Sequence, residues 1–284
     1  MNLTQQIVNG LVLGSGYACI ALGWTILLGV ARLVNFAHGQ LYMLGAFVTW
    51  FAMTKMGAPY WAAIIVAVLV LALLGALMQL AMTRLVMEQN LTSLMIVTLG
   101  LGYVIQGVGA LVFGGNPQTL PSALARMKVD AGALWFTWQD VLVLVMTLVL
   151  YGAVWLFVNR TRFGAVIRSV AEDPRLAQLF GIDAKRVYVA VFAFECAAVA
   201  LGAGLVAPRA PILTSMGFNE VIMTFVVVVL GGIGSIGGAL LAGLGLGLFT
   251  AFFGAFVAPA YTTAAAFGVL LLLLVVRPAG LAAK

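Results

Sequence analysis

The sequence predicts an all-α fold, a polytopic integral membrane helical bundle, and three observations carry that reading. The chain of 284 residues is 64% hydrophobic and 8% charged, where a soluble globular protein carries about 25% charged residues. Its mean hydropathy is +1.17. The apolar residues fall into nine runs, about 6–29, 34–53, 60–83, 92–113, 139–158, 187–207, 220–232, 236–256 and 261–276, each near the roughly 20 residues a helix needs to cross a hydrocarbon core. The seventh and ninth runs are short and the second is broken by glycine and polar residues, so the range is eight to ten spans around a best count of nine. Residues 1–284 then form one membrane domain with no separable soluble unit.

The chain opens on MNLTQQ, which has no basic segment. The apolar stretch after it is longer than a signal-peptide core of about 7–15 residues, so the first run reads as an uncleaved spanning helix. Cys19 and Cys196 both sit inside apolar runs and read as buried thiols, with no metal or disulfide spacing. Residues 114–138 form an outer loop rich in turn formers (Gly114, Gly115, Asn116, Pro117, Pro121) and interfacial aromatics (Trp135, Phe136, Trp138). It suits either contact with an extracytoplasmic partner or a plain connector anchored at the headgroups. Glycine pairs four apart, Gly234 with Gly238 and Gly243 with Gly247, let helix backbones approach closely.

The one long polar stretch is Asn159 to Arg186, with six of the fourteen Lys and Arg residues and three of the eight acids. Placing it in the cytoplasm and alternating outward puts ten basic residues inside, Arg32, Arg84, Arg277 and Lys284 among them, against Lys55, Arg126, Lys128 and Arg209 outside. Within it Asp173 suits an N-cap, Pro174 the first helical position and Gly181 a left-handed closing turn, which predicts a two-turn helix over Pro174–Phe180. Leu176, Leu179 and Phe180 share one side of it. Periodicity alone leaves open whether that face docks into another protein or packs back onto the bundle.

Two nucleotide signatures fail. Gly232-Ile233-Gly234-Ser235-Ile236-Gly237 fits G-x-G-x-x-G, but no acid follows Glu220 to hold a ribose, and a dinucleotide site needs one in a βαβ setting. A tight turn at the membrane edge is expected instead. The phosphate loop G-x-x-x-x-G-K-[ST] is absent from the sequence, so ATP-driven work would require hydrolysis by another subunit.

Polar side chains inside apolar runs are costly unless they line a cavity or find a partner. Glu195 stands alone in VYVAVFAFECAAVALGAG, suited to a path or to an inter-helix hydrogen bond with the acid protonated. Asn35, Phe36, His38 and Gln40 cluster in ARLVNFAHGQLYMLGAF. A lone histidine makes neither a metal site nor a triad, so structural bonding of a broken helix, compatible with lining a solute path, is the expectation there. Gln79, Gln106, Asn219 and Glu220 are further candidates, the last two at a helix start after Pro208, Pro211 and Gly217.

VNFAHGQLYMLGAF (34–47), RTRFGAVIRSVAEDPRLAQLFGID (160–183), LGGIGSIGGALLAG (230–243) and the terminal RPAGL (277–281) occur in that order over nearly the whole chain. In these motifs the chain resembles the LivH-type permease subunit of branched-chain amino acid ABC importers. The resemblance implies a permease in a bacterial inner membrane that pairs with a second, LivM-type permease, two cytoplasmic ATP-binding subunits and an extracytoplasmic solute-binding protein. Any ATP and Mg would be bound by those partners, with no cofactor or metal in this chain. It also implies that Glu172 to Gly181, including Asp173, Leu176, Leu179 and Phe180, is the segment coupled to the ATPases. The family includes relatives resembling urea, amide and aromatic-acid importers, so the motifs do not choose the solute.

On that reading the chain is not an enzyme. Solute crosses by alternating access past Asn35, Phe36, His38, Gln40, Gln106, Glu195 and Asn219. The alternative is an ion-coupled secondary transporter with Glu195 as its coupling site. A lipid enzyme using His38 as base lacks the several convergent polar groups such chemistry needs.

Overall fold

The computed structural model describes residues 3–87, 91–131, 134–277 and 280–281. In chain order the described residues form α1 (Leu3–Ala31), α2 (His38–Thr54), α3 (Tyr60–Met87), α4 (Leu91–Phe113), α5 (Ala123–Arg126), β1 (Lys128–Ala131), β2 (Leu134–Thr137), α6 (Trp138–Arg160), α7 (Arg162–Glu172), α8 (Pro174–Leu179), α9 (Ala184–Val206), α10 (Met216–Gly231), α11 (Ile236–Phe256) and α12 (Thr262–Val276). Lys284 and the Pro278–Ala279 part of the terminal motif lie outside the described residues.

All nine apolar runs are helical over most of their length. Seven segments among the described residues are long and apolar enough to cross a membrane: α1, α3, α4, α6, α9, α11, and α12 with the turn before it. The chain is thus an all-α polytopic membrane protein. The second and seventh runs differ from expectation. α2 has 17 residues and starts at His38, not near 34, while α10 has 16 and starts at Met216, before the expected 220.

Local chemistry explains the late start of α2. Arg32 takes a left-handed backbone, φ 51°, at the end of α1. Asn35 Oδ1 then accepts the Ala37 amide at 3.0 Å, the short-range bond by which Asn competes with helix formation. Thr98 Oγ1, from α4, accepts the Phe36 amide at 3.2 Å. The interior therefore holds non-helical backbone with its amides satisfied, the condition under which a membrane protein tolerates it.

The core is built around α1. In its most apolar stretch 83% of residues are buried, against 11% for α12 at the periphery. Its tightest neighbour is α11: a side chain on Gly14 would meet Gly243 O at 2.7 Å, and one on Gly10 would meet Leu248 Cα at 2.7 Å. Small residues thus bring the two backbones into contact, as expected where lipid supplies little hydrophobic drive between helices.

The helices fall into two matching halves, α1–α4 and α9–α12. α1 packs extensively on α11 as α9 packs on α3; α2 contacts α3 and α4 as α10 contacts α11 and α12; α1 meets α9 and α2 meets α10 across the middle. The starts of the two short helices touch backbone to backbone at Gly39 and Gly217. Along α2, Gly45 then faces Ala200 and Thr49 lies beside Gly204, so α2 accompanies only the second half of α9.

The 114–138 segment is more ordered than a plain loop. It holds α5 and a hairpin in which Lys128 pairs with Thr137 and Val129 with Phe136. A two-way backbone bridge joins Gln118 to Ile212. Thr137 and Asp140 form a reciprocal capping box at the start of α6.

Candidate functional site

The seven residues nominated for a solute path separate into two groups. Asn35, His38 and Glu195 come together in a fully buried polar node, and Gln40, also buried, lies against Gly102 and Gly217. Phe36, Gln106 and Asn219 reach the surface or lie half-buried.

Glu195, at the middle of α9, organises the node. Asn35 Nδ2 donates to both its carboxylate oxygens at 3.0 Å, and His38 Nδ1 lies 2.7 Å from Oε1. The sequence offers no basic neighbour to Glu195; the fold supplies one from the first residue of α2. One proton between imidazole and carboxyl serves either a neutral pair or an ion pair, and the second Asn35 bond holds the carboxyl plane in place. The Cys196 thiol lies 3.8 Å from Oε2.

Around this pair the node keeps spare polar capacity. Trp24 stacks on His38 with ring centroids 4.8 Å apart and a 20° angle. Trp24 Nε1 and His38 Nε2 are buried with no hydrogen-bond partner among the described residues, as are Gln40 Oε1, Gln79 Nε2 and Thr224 Oγ1 in the same bundle. Gln40 Oε1 sits where a side chain on Gly217 would be, 2.7 Å from that position. The node is thus a junction of α1, α2, α9 and α10 at the starts of the two short helices. No group of three or more metal-ligating His, Cys, Asp or Glu side chains occurs among the described residues.

The second group lies along α4 and near the starts of α2 and α10. Gly102 of α4 packs on Ala37 and Gln40, and the Tyr103 and Phe218 rings are 5.4 Å apart. One turn beyond Gly102 is Gln106, and beside Phe218 is Asn219. These residues border the place where α4 crosses the starts of α2 and α10, with Phe36 partly exposed between them.

At the end of the bundle carrying α7 and α8, the expected short helix is present. Asp173 Oδ1 accepts the Arg175 and Leu176 amides at 2.7 and 3.1 Å. Gly181, φ 80°, closes the helix while the Ile182 amide returns to Ala177 O at 3.1 Å, the left-handed closure for which glycine is suited. Ala177 is buried against the bundle, whereas Leu176, Leu179 and Phe180 are 55, 81 and 85% exposed. The apolar face therefore does not pack back. A cavity of about 430 Å³ lies behind α8, bordered by Arg32, Glu172, Asp173, Arg175 and Tyr188.

Some of this was hidden in the sequence. α7, capped by Thr161 and burying Gly164, Ile167 and Val170 at helical spacing, has a periodicity that could have revealed it inside the polar stretch. Trp24 and Thr98 carry no sequence signal, because an aromatic or a lone hydroxyl in an apolar run is ordinary. The glycine-rich 232–237 segment is a turn, with Gly232 and Gly234 at φ 93° and 79° and Ser235 Oγ accepting the Gly238 amide at 3.1 Å.

A bundle of apolar helices with a helix break at its centre, a buried polar junction there and an exposed apolar helix at one end suits a membrane transport subunit. Residues 6–276 match the family described as branched-chain amino acid transport system / permease component, and the chain belongs to that family. It is 31% identical to the high-affinity branched-chain amino acid transport system permease protein BraD of Pseudomonas aeruginosa, over 98% of this chain and 94% of that one. The corresponding permease protein LivH of Escherichia coli gives the same identity and coverage. The probable branched-chain amino acid transport permease protein LivH of Methanocaldococcus jannaschii is 26% identical over 91% of this chain and 84% of that one. Among solved structures, PsaBC from Streptococcus pneumoniae in complex with Fab covers 95% of this chain at 15% identity with a TM-score of 0.44, a likeness too loose to carry an inference.

Proposed function

We propose that this chain is the permease subunit of an ABC importer that moves a branched-chain amino acid or a similar small polar solute across the inner membrane of a bacterium. Its partners on this reading are a homologous second permease, two cytoplasmic subunits that bind ATP and Mg, and an extracytoplasmic solute-binding protein. The chain itself makes and breaks no covalent bond. The α8 end faces the cytoplasm and the hairpin end faces outside, in line with the basic residues clustered near α8.

The observation that carries this reading is the exposed apolar face of Leu176, Leu179 and Phe180 in an otherwise polar segment. Such a face on a capped helix suits insertion into a groove on a partner, with Glu172, Asp173 and Gly181 fixing its start and end. Force on α8 passes through Asp183, which caps α9 by accepting the Lys185 amide at 3.0 Å. α9 carries Glu195, which holds Asn35 and His38 at the start of α2. Motion of α8 is thereby linked to the central helix break, where Asn35, His38, Gln40 and Glu195 act as the hinge of alternating access. Phe36, Gln106 and Asn219 border the path itself, on the face turned toward the second permease.

The His38–Glu195 pair also suits a second reading, ion-coupled transport through Glu195, because intramembrane acids with a titratable partner serve proton relays. One experiment separates the two. The chain is purified from its native membrane in mild detergent, and its companions are identified. Recovery with a second permease and P-loop ATPases is the expected result; recovery alone, with gradient-driven uptake intact, overturns the importer reading.

A further inference from the structure

A cavity of about 260 Å³ lies at the hairpin end, between α1, α2, the 207–212 segment and α10. Its lining differs in chemistry from the buried node. Arg209 and Glu220 bring a guanidinium and a carboxyl group to one space, which Tyr17 and Tyr42 also line. Ile20 and Ile212 contribute an apolar wall.

The two groups are presented differently. Arg209 Nε is held by Asp140 Oδ1 at 2.8 Å, with the Arg209 side chain 24% exposed. Asp140 is itself fixed, since its other oxygen accepts the Thr137 amide at 2.8 Å in the α6 capping box. One edge of the guanidinium is therefore anchored, and its terminal nitrogens keep the fork that matches a carboxylate. No polar group among the described residues hydrogen-bonds or ion-pairs with Glu220. A carboxyl with no polar partner beside a cavity has both oxygens free to accept from a donor placed there. The two-way bridge between Gln118 and Ile212 holds the outer segment across one wall.

We infer that this cavity is an entry site for a zwitterionic aliphatic amino acid, with Arg209 taking the α-carboxylate, Glu220 the α-ammonium, and the Ile20–Ile212 wall the side chain. The volume is below the roughly 300–1,000 Å³ of pockets for drug-sized ligands, as a small solute requires. It lies at the end where the proposed importer receives solute, and the assignment rests on that functional reading. A solute with only one of the two charges leaves either Arg209 or Glu220 unmatched, and sites built for a polar group reject analogues that lack it.

The test uses the intact transporter purified from its native membrane into nanodiscs, with binding of L-leucine, leucinamide (no carboxylate) and 4-methylpentanoate (no amine). The wild type binds leucine in preference to both analogues. Glu220→Gln weakens leucine binding about tenfold or more and leaves 4-methylpentanoate binding unchanged; Arg209→Gln does the same to leucine while sparing leucinamide. Equal loss for all three ligands, or no loss, overturns the site. Should the charge variants fold poorly, Met216→Cys places a thiol on the cavity wall. Leucine then protects it from a methanethiosulfonate reagent, and unprotected labelling with leucine transport intact overturns the site while the importer reading stands. A wild-type complex that transports another solute but neither binds nor moves any aliphatic amino acid overturns the amino-acid reading, and this site with it.

Discussion

Glu195 and His38 lie 157 positions apart in the chain and meet at 2.7 Å in the centre of the bundle. The contact ties the middle of α9 to the first residue of α2, and Asn35 doubles it by donating to both carboxylate oxygens. Glu195→Gln keeps an oxygen that accepts from Asn35 and His38 together, so it should lower stability by only about 1 kcal/mol. Glu195→Leu leaves both partners buried and unpaired, which should cost about 3 kcal/mol. Unfolding of the two variants in detergent checks the ordering. A large loss of uptake in a well-folded Glu195→Gln protein would assign the acid to transport chemistry and not to the hinge.

This pair shows where sequence reading stopped. Both residues stand out locally, because each is a polar group in an apolar run, yet nothing in either run says that they touch. The spans themselves were legible, since their length and apolarity are set by the bilayer. α8 was legible too, because Asp173, Pro174 and Gly181 are local signals for its ends. The break before α2 was less so: it depends on Thr98 accepting the Phe36 amide from another helix, and long-range capping leaves no mark on the segment that is capped. Nor does the sequence place Arg209 beside Glu220, whose cavity exists only once four segments have packed.

Packing at the start of α2 and α10 makes a second prediction. A side chain on Gly39 would overlap the backbone of Gly217, whereas one on Gly237 would meet nothing within 4 Å. Gly39→Ala should therefore destabilise the bundle by about 2 kcal/mol or more through overpacking. Gly237→Ala, in the open first turn of α11, should be neutral or slightly stabilising because alanine is the better helix former. Thermal unfolding of both proteins, side by side, checks the contrast.

His38 also stacks on Trp24 at 4.8 Å, so replacing it removes a ring contact as well as a polar partner. His38→Asn retains a short polar group toward Glu195 and should lower stability by about 1–2 kcal/mol. On the importer reading ATP is bound by partner subunits, so the assembled complex should still hydrolyse ATP measurably. Complete loss of hydrolysis in a complex of normal composition would show that the node controls the ATPases directly.

The exposed face of α8 gives the sharpest separation between folding and assembly. Leu176, Leu179 and Phe180 make most of their surface available to solvent, so replacing all three with serine removes little buried area from this chain and should leave its unfolding temperature nearly unchanged. On the importer reading the same change removes the apolar anchors that a groove on an ATPase would grip, and co-purification of the ATPases should fall at least about tenfold. Gly181→Ala offers a milder version. At φ 80° a side chain is strained by about 1 kcal/mol, which loosens the end of α8 while leaving its apolar face intact, so partial retention of the ATPases is expected. If the serine triple variant retains them fully, the partner is held elsewhere on the α7–α8 segment, and the charged residues bordering the cavity behind α8 become the place to look.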